Sequence, residues 1–72
     1  MIEIDLHGQR HDSVREKLES DIILEYNKGN FPIRIITGNS LMMKKIVFTA
    51  VANHKFKSPE EPHNSGALII YE

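Results

Sequence analysis

The order of hydrophobic patterns in residues 1–37 constrains the fold more than any other feature of this 72-residue chain. Residues 1–8 alternate apolar and polar side chains, which is the period of a half-buried strand. A helical pattern runs from Asp12 or Ser13 to about Asn27, and a second strand pattern covers residues 31–37. A strand, a helix and a strand with short connections predict a βαβ unit, in which two parallel strands end at one edge of a sheet.

Local signals predict where the helices begin and end. Ser13 and Glu16 fit a capping box at the start of the first helix, and Asp12 is an alternative N-cap. Gly29 suits the left-handed position that follows a helix C-terminus. Ser40 can cap a second helix, predicted over residues 41–53. Both helices carry an apolar face, so we expect them to pack against the sheet.

The rest of the chain predicts two more strands. Residues 54–57 fit a short third strand, residues 58–66 a polar loop, and residues 67–71 a final strand whose apolar run suits the interior of a sheet. The expected order is β-α-β-α-β-β. The fold class is α/β, as a two-layer α+β sandwich with both helices on one face of a four-stranded mixed sheet. The side chains expected on the open face are Glu3, Asp5, His7, Arg34, Lys55 and Lys57.

Size and composition exclude several classes of protein. Residues 1–72 are short enough to form a single domain. The chain contains no cysteine, which excludes disulfides and thiolate metal sites. It has no apolar run of membrane-spanning length and no basic-then-apolar signal segment. These features predict a cytoplasmic protein without a membrane partner.

The charges are segregated along the chain, although the net charge is only -1. Residues 1–30 contain seven acidic and four basic side chains, whereas residues 31–57 contain five basic side chains and no acid. The acid-free stretch either presents one basic face to phosphate groups or is a solvated surface with scattered charges. The sequence favours neither alternative.

Asp5 and His7 are the first candidates for chemistry. If both lie on the solvent-exposed face of the first strand, their Cα atoms are about 6.5 Å apart. Gly8, which follows them, allows a sharp turn of the chain. In a structural interpretation, Asp5 hydrogen-bonds the turn and His7 packs nearby. In a catalytic interpretation, His7 is a general acid or base, and Asp5 orients its ring.

The turn at residues 38–40 is the second candidate, because it opens the second helix at the same predicted edge. The first turn of a helix offers free N–H groups and the positive end of the dipole, which together favour an anion. Such a turn is also a common structural element with no ligand.

Three segments of this chain resemble the small MutS-related (Smr) domain family. Ile4 followed by Asp-Leu-His-Gly8 matches the leading motif of the family, and Thr37-Gly38-Asn39 matches a second motif, His- or Thr-Gly-x-Gly. Ser40 replaces the final glycine of that motif. Residues 66–72 resemble the last strand of the family. The resemblance implies a fold like the C-terminal domain of translation initiation factor three. It also implies nucleic-acid binding, often with endonuclease activity, and several members act on messenger RNA at stalled ribosomes.

The resemblance also implies roles for individual residues. Asp5 and His7 would be catalytic. The nucleic-acid-binding residues would be Gly8, Thr37, Gly38, Asn39 and Ser40. Apart from the resemblance, we expect Arg10 and Lys44 to hold phosphate charge as well, through their cationic side chains. RNA is the favoured nucleic acid and the ribosome a candidate partner; the oligomeric state is left open.

The chemistry of cleavage differs between RNA and DNA. RNA cleavage can use the 2′-hydroxyl as nucleophile and needs no metal. Hydrolysis of DNA requires an attacking water, which a Mg or Mn ion on Asp5 would help to activate. One carboxylate and one imidazole are few ligands, so we assign no metal. The alternatives are a non-catalytic RNA- or DNA-binding module and a protein-interaction module that uses the acidic face of the first helix.

Overall fold

The computed structural model describes residues 1–58, 60–61 and 64–72. Its elements, in chain order, are β1 (Ile2–Asp5), α1 (His11–Asn27), β2 (Ile33–Ile36), α2 (Leu41–Ala52), β3 (Glu60–Glu61) and β4 (Asn64–Ile70). Pro59, Pro62 and His63, which the sequence assigns to the polar loop, lie outside the described residues.

Three strands form a mixed sheet. β1 pairs with β2 in parallel, and β2 pairs with β4 in antiparallel orientation. The two-residue β3 pairs with the other side of β4, which gives the order β1-β2-β4-β3. The prediction of a small α+β fold with two helices and a parallel β1–β2 pair is therefore confirmed.

One face of the sheet and both helices share a single hydrophobic core. In the strand register Ile35 is the partner of Ile4 on one side and of Leu68 on the other, so the three side chains point to the same face. These residues pack with buried side chains of both helices, among them Leu18 and Val47. The helices therefore cover this face and leave the opposite one open.

The open face carries Glu3 and Arg34 side by side. They are register partners, and a guanidinium nitrogen of Arg34 donates to Glu3 Oε2 at 2.6 Å. Asp5 lies on the same face, opposite Ile36. Lys55 is not on the open face, because it lies in the turn that follows α2.

The predicted third strand at residues 54–57 is wrong. The N–H of Phe56 donates to the carbonyl of Val51 at 3.1 Å and that of Lys55 to Ala52 at 3.2 Å, so this segment closes the C-terminus of α2. Lys55 adopts the left-handed conformation, with φ +60°. Because this position usually holds glycine or asparagine, the sequence gives no signal for it. Lys57 forms an isolated bridge with Tyr71, just beyond the end of β4. The remaining short strand, β3, lies in the stretch that the sequence predicts as a loop.

Three of the four helix ends lie where the sequence predicts them. Gly29, with φ +77°, follows α1; its N–H donates to the Tyr26 carbonyl and that of Asn30 to the Glu25 carbonyl, each at 3.0 Å. Ser40 Oγ accepts the N–H of Met43 at 3.0 Å. The C-terminus of α2 is also close to its predicted position.

The fourth end, the start of α1, is predicted wrongly. The helix begins at His11 with Arg10 as its N-cap, because the carbonyl of Arg10 accepts the N–H of the buried Val14 at 3.1 Å. Ser13 therefore lies inside the first turn and is not the N-cap.

Within the described residues, neither helix combines the length and apolar character that a membrane crossing requires.

Candidate functional site

The loops that follow β1 and β2 meet at one edge of the sheet, as the sequence predicts. The N–H of Leu6 donates to the carbonyl of Ile36 at 2.8 Å, which joins the ends of the two strands. The imidazole of His7 lies against Gly38: a Cβ placed on Gly38 would be 2.8 Å from His7 Cδ2. We call this region, residues 5–10 and 37–42, the strand-end rim.

His7 lies in a turn and not on the strand. β1 ends at Asp5, and the N–H of Gln9 donates to the carbonyl of Leu6 at 3.0 Å, which closes a β-turn over His7 and Gly8. Gly8 has φ +79°, as a type II turn requires at its third position. The prediction that Asp5 and His7 share a strand face is therefore wrong, because the turn begins one residue earlier than the alternation suggests. The His7 side chain remains exposed.

The Asp5 carboxylate contacts the main chain of this turn. Its Oδ1 accepts the N–H of His7 at 3.0 Å, the contact of an Asx-turn. The side-chain amide of Gln9 donates to the Asp5 carbonyl at 2.6 Å and ties the turn back to the strand. In the part of the chain that the structure describes, no hydrogen bond joins the His7 ring to another group. This geometry is that of the structural interpretation, in which Asp5 fixes the turn that carries His7.

Thr37 and Gly38 are held by one carbonyl group. Gly66 O accepts the N–H groups of Thr37 and Gly38, at 2.8 and 3.0 Å. The Thr37 hydroxyl donates to the carbonyl of Gly38 at 2.9 Å and also lies 3.2 Å from Gly66 O; Thr37 is 2% exposed. The Gly38 amide is therefore not available to a phosphate. Thr37 and Gly38 shape the rim by fixing the end of β2 to the start of β4.

The first turn of α2 provides the donors that remain at the rim. Ser40 Oγ satisfies the N–H of Met43, and the N–H of Lys44 donates to the Ser40 carbonyl. Within the described hydrogen bonds, the N–H groups of residues 39–42 have no acceptor. Together with the dipole of a twelve-residue helix, these groups favour an anion at this point.

The two predicted phosphate-binding cations differ in accessibility. Arg10 is exposed at the rim, and its side chain makes no capping hydrogen bond. Lys44 is only 8% exposed, so its side chain is packed within the protein. Of these two cations, Arg10 is therefore the one that presents its charge at the rim.

The basic residues of the acid-free stretch do not form one surface. Arg34 pairs with Glu3 on the open sheet face, Lys44 is buried, and Lys45 borders a groove between the helices. This distribution favours scattered charges over a single basic face.

The rim does not provide a preformed metal site. Asp5 is its only carboxylate, and one of its oxygens accepts the His7 amide. Within the described residues, no three side chains of histidine, cysteine, aspartate or glutamate are grouped so that they could hold an ion. Mg²⁺ and Mn²⁺ favour several oxygen ligands, so this donor set does not fit them, and no chemical step is assigned to a metal.

Two residues that shape the rim were not identified from the sequence. Gln9 ties the turn to the strand, and Gly66 anchors the end of β2. Both act through contacts with the main chain. Gln9 directly follows the Gly8 turn, which is a local signal for such a role, whereas the contact with Gly66 exists only because β4 pairs with β2.

Comparisons with protein-family models, with curated proteins and with solved structures found no match to this chain.

Proposed function

We propose that this chain is a nucleic-acid-binding domain of the Smr type, and that its strand-end rim cleaves phosphodiester bonds in RNA. The observation that supports this best is the position of the exposed His7 ring, packed on Gly38 directly before the N–H groups that open α2. A titratable ring beside main-chain donors is the combination that general acid–base cleavage of a phosphodiester uses.

The proposed reaction uses the 2′-hydroxyl of RNA as its nucleophile. The 2′-oxygen attacks the adjacent phosphorus, its proton passes to the neutral His7 ring, and the bond from phosphorus to the 5′-oxygen breaks. The departing 5′-oxygen takes a proton from water, and the hydroxide that remains takes the proton held by the His7 ring. The products are a 2′,3′-cyclic phosphate and a 5′-hydroxyl, and the ring is neutral again. The N–H groups of residues 39–42 and the guanidinium of Arg10 bind the non-bridging oxygens.

Asp5, Gly8 and Gly38 have positioning roles in this proposal. Asp5 holds the main-chain N–H of His7, Gly8 permits the turn, and Gly38 leaves room for the ring. Thr37 and Ser40 hold the second loop through their hydroxyl groups. Lys44 has no direct contact with phosphate in this scheme because it is buried.

The broader proposals follow from the same resemblance. We propose a fold like the C-terminal domain of translation initiation factor three, in which β3 completes a four-stranded sheet. The order β1-β2-β4-β3, with both helices packed in one core, supports this likeness. Messenger RNA or ribosomal RNA in the cytoplasm is the proposed partner.

A second candidate function is RNA binding without cleavage. It is favoured by the Asp5 contact, because this carboxylate holds the main chain of the turn and does not reach the His7 ring to orient it as a base. The rim would then hold phosphate through the same donors and Arg10.

Cleavage and binding assays with labelled RNA and supercoiled DNA test the two candidates. His7→Gln keeps a polar side chain that cannot titrate near neutral pH. We expect it to reduce RNA cleavage by about 10²-fold or more and to leave RNA affinity nearly unchanged. The matched control is His54→Gln, which removes a histidine at the opposite end of α2 and should cleave like the parent.

The outcomes separate the proposals. Cleavage that survives His7→Gln refutes the mechanism. If the unmodified protein binds RNA with an affinity that falls as salt increases, but does not cleave it, the second candidate function is supported. If RNA and DNA both fail to bind at low salt, both nucleic-acid proposals are wrong.

A further inference from the structure

A groove between α1 and α2 adjoins the strand-end rim at Met42 and otherwise lies outside it. Its volume is about 430 Å³, and residues from both helices line it. The floor is formed by Leu18, Ile46 and Ala50, which are 2%, 7% and 8% exposed. Met42 forms one wall and is 45% exposed. A volume of this size is in the range of ligand-binding pockets, and exposed methionine suits an adaptable apolar contact.

Two large apolar side chains are also exposed on the outer side of α2. Leu41 is 75% exposed and Phe48 is 40% exposed, and both lie on the side of the helix that faces away from the core. The outward side of a surface helix is normally polar. An apolar outer side beside an apolar groove is typical of a contact surface.

The charges that border this groove are predominantly positive. Arg15 and Lys45 stand at its edges, and α2 contains no acidic residue. Glu19 also lines the groove, but its carboxylate already accepts from His54 Nε2 at 2.7 Å and from Asn53 at 3.4 Å. Arg15 has a 3.5 Å pair with the highly exposed Asp12, which is worth little. The groove therefore complements an anionic partner.

The shape of the groove favours a helix as its occupant. Its walls are two helices whose main-chain groups are used internally, so an added strand would find no sheet edge to pair with. From Met42 to Asn53 the groove follows α2 for about 16 Å, which equals about three turns of a docked helix. None of the residues that line it is aromatic, so it offers no surface for stacking nucleic-acid bases.

We infer that the α1–α2 groove binds an acidic amphipathic helix of a partner protein. The apolar side of that helix lies on Leu18, Ile46 and Ala50, and its carboxylates face Arg15 and Lys45. This site is distinct from the proposed cleavage site, because Leu18, Ile46 and Ala50 and the two flanking cations lie outside the strand-end rim; of the groove residues, Met42 belongs to both.

The test uses two capped peptides of about 14 residues. Both carry leucine at the i, i+4 and i+7 positions of a helix; one has glutamate at the flanking positions and the other lysine. Binding is followed by NMR shifts of the protein amides. We expect the acidic peptide to bind about tenfold more tightly and to shift Leu18, Ile46 and Ala50, since two exposed ion pairs together contribute about that factor.

A charge reversal identifies the contact. Lys45→Glu should weaken the acidic peptide about fivefold and strengthen the basic one. Lys28→Glu makes the same charge change on an exposed lysine at the C-terminus of α1 and should change neither affinity. If the basic peptide binds the Lys45→Glu variant more tightly than it binds the unmodified protein, a general loss of folding cannot explain the weaker binding of the acidic peptide.

Several results would overturn the inference. Equal affinity for the two peptides, or shifts confined to the strand-end rim, would exclude this docking mode. Groove shifts produced by single-stranded RNA and by neither peptide would assign the groove to nucleic acid. Groove shifts that depend on protein concentration without peptide would assign it to a second copy of the chain.

Discussion

Gly38→Ala tests whether the His7 ring is seated by the absence of a side chain. The new Cβ would be 2.8 Å from His7 Cδ2, and ordinary contact begins at 3.4 Å, so the ring must retreat by about 0.6 Å. Gly38 also has φ +65°, which costs an alanine about 1–2 kcal/mol. Because His7 is exposed, we expect its ring to swing aside without a further large loss of stability.

Gly29→Ala is the matched control for the backbone cost. Gly29 has φ +77°, and no atom lies within 4 Å of the place that a Cβ would take there. Both variants should therefore lose about 1–2 kcal/mol of unfolding free energy in chemical denaturation. Only Gly38→Ala should shift the ring resonances of His7 in NMR spectra.

The effect on activity follows from the same displacement. A misplacement of about 1 Å can reduce catalysis by about 10²-fold, so RNA cleavage should decrease strongly in Gly38→Ala and little in Gly29→Ala. Unchanged ring resonances in Gly38→Ala, or equal losses of cleavage in the two variants, would refute the reasoning.

Three further predictions concern the residues that hold the rim. Ser40→Ala removes the acceptor of the Met43 N–H and should lower the unfolding free energy by about 1 kcal/mol in chemical denaturation. Ser20→Ala, at an exposed position within α1, should lower it little, and equal losses would contradict the capping role of Ser40. Thr37→Val keeps the buried shape but loses the hydroxyl contacts with the carbonyls of Gly38 and Gly66. We therefore expect a cost of about 1 kcal/mol and faster amide exchange at Gly38; an unchanged exchange rate would speak against this anchor. Asp5→Asn retains an acceptor for the His7 N–H and should be nearly as stable as the unmodified protein, whereas Asp5→Ala should lose about 1 kcal/mol of unfolding free energy. If both variants lose the same amount, the charge of Asp5 matters and its contact with the turn does not.

The elements that the sequence predicted well depend on local interactions. Ser40 caps α2 with a hydroxyl that reaches an N–H three residues away, and Gly29 ends α1 because only a residue without Cβ adopts its conformation at no cost. The parallel pairing of β1 and β2 follows from the helix that connects them.

Two errors arose where a local turn replaces a strand-like alternation, and a third arose where packing buries a charge. The segment 54–57 contains a strand-like alternation, but the N–H groups of residues 54–56 close the end of α2, and only that of Lys57 donates to Tyr71. Lys44 reads as a solvated charge in the sequence and is buried in the fold. His7 fits the alternation of β1, yet the turn that ends at Gln9 removes it from the strand.

The sequence by itself determined that a short chain without cysteine would form two capped helices and a parallel strand pair, and that His7 and Gly38 would follow adjacent strands. Only the tertiary structure decided what these residues contact: the ring lies on Gly38, the Asp5 carboxylate holds the main chain of His7, and the Gly38 amide is bound by Gly66. The physical reason is the difference in sequence separation over which the two kinds of interaction act. Caps and periodicity act within a few residues, whereas the partners of the rim come from segments that meet only after the sheet has paired and the core has packed.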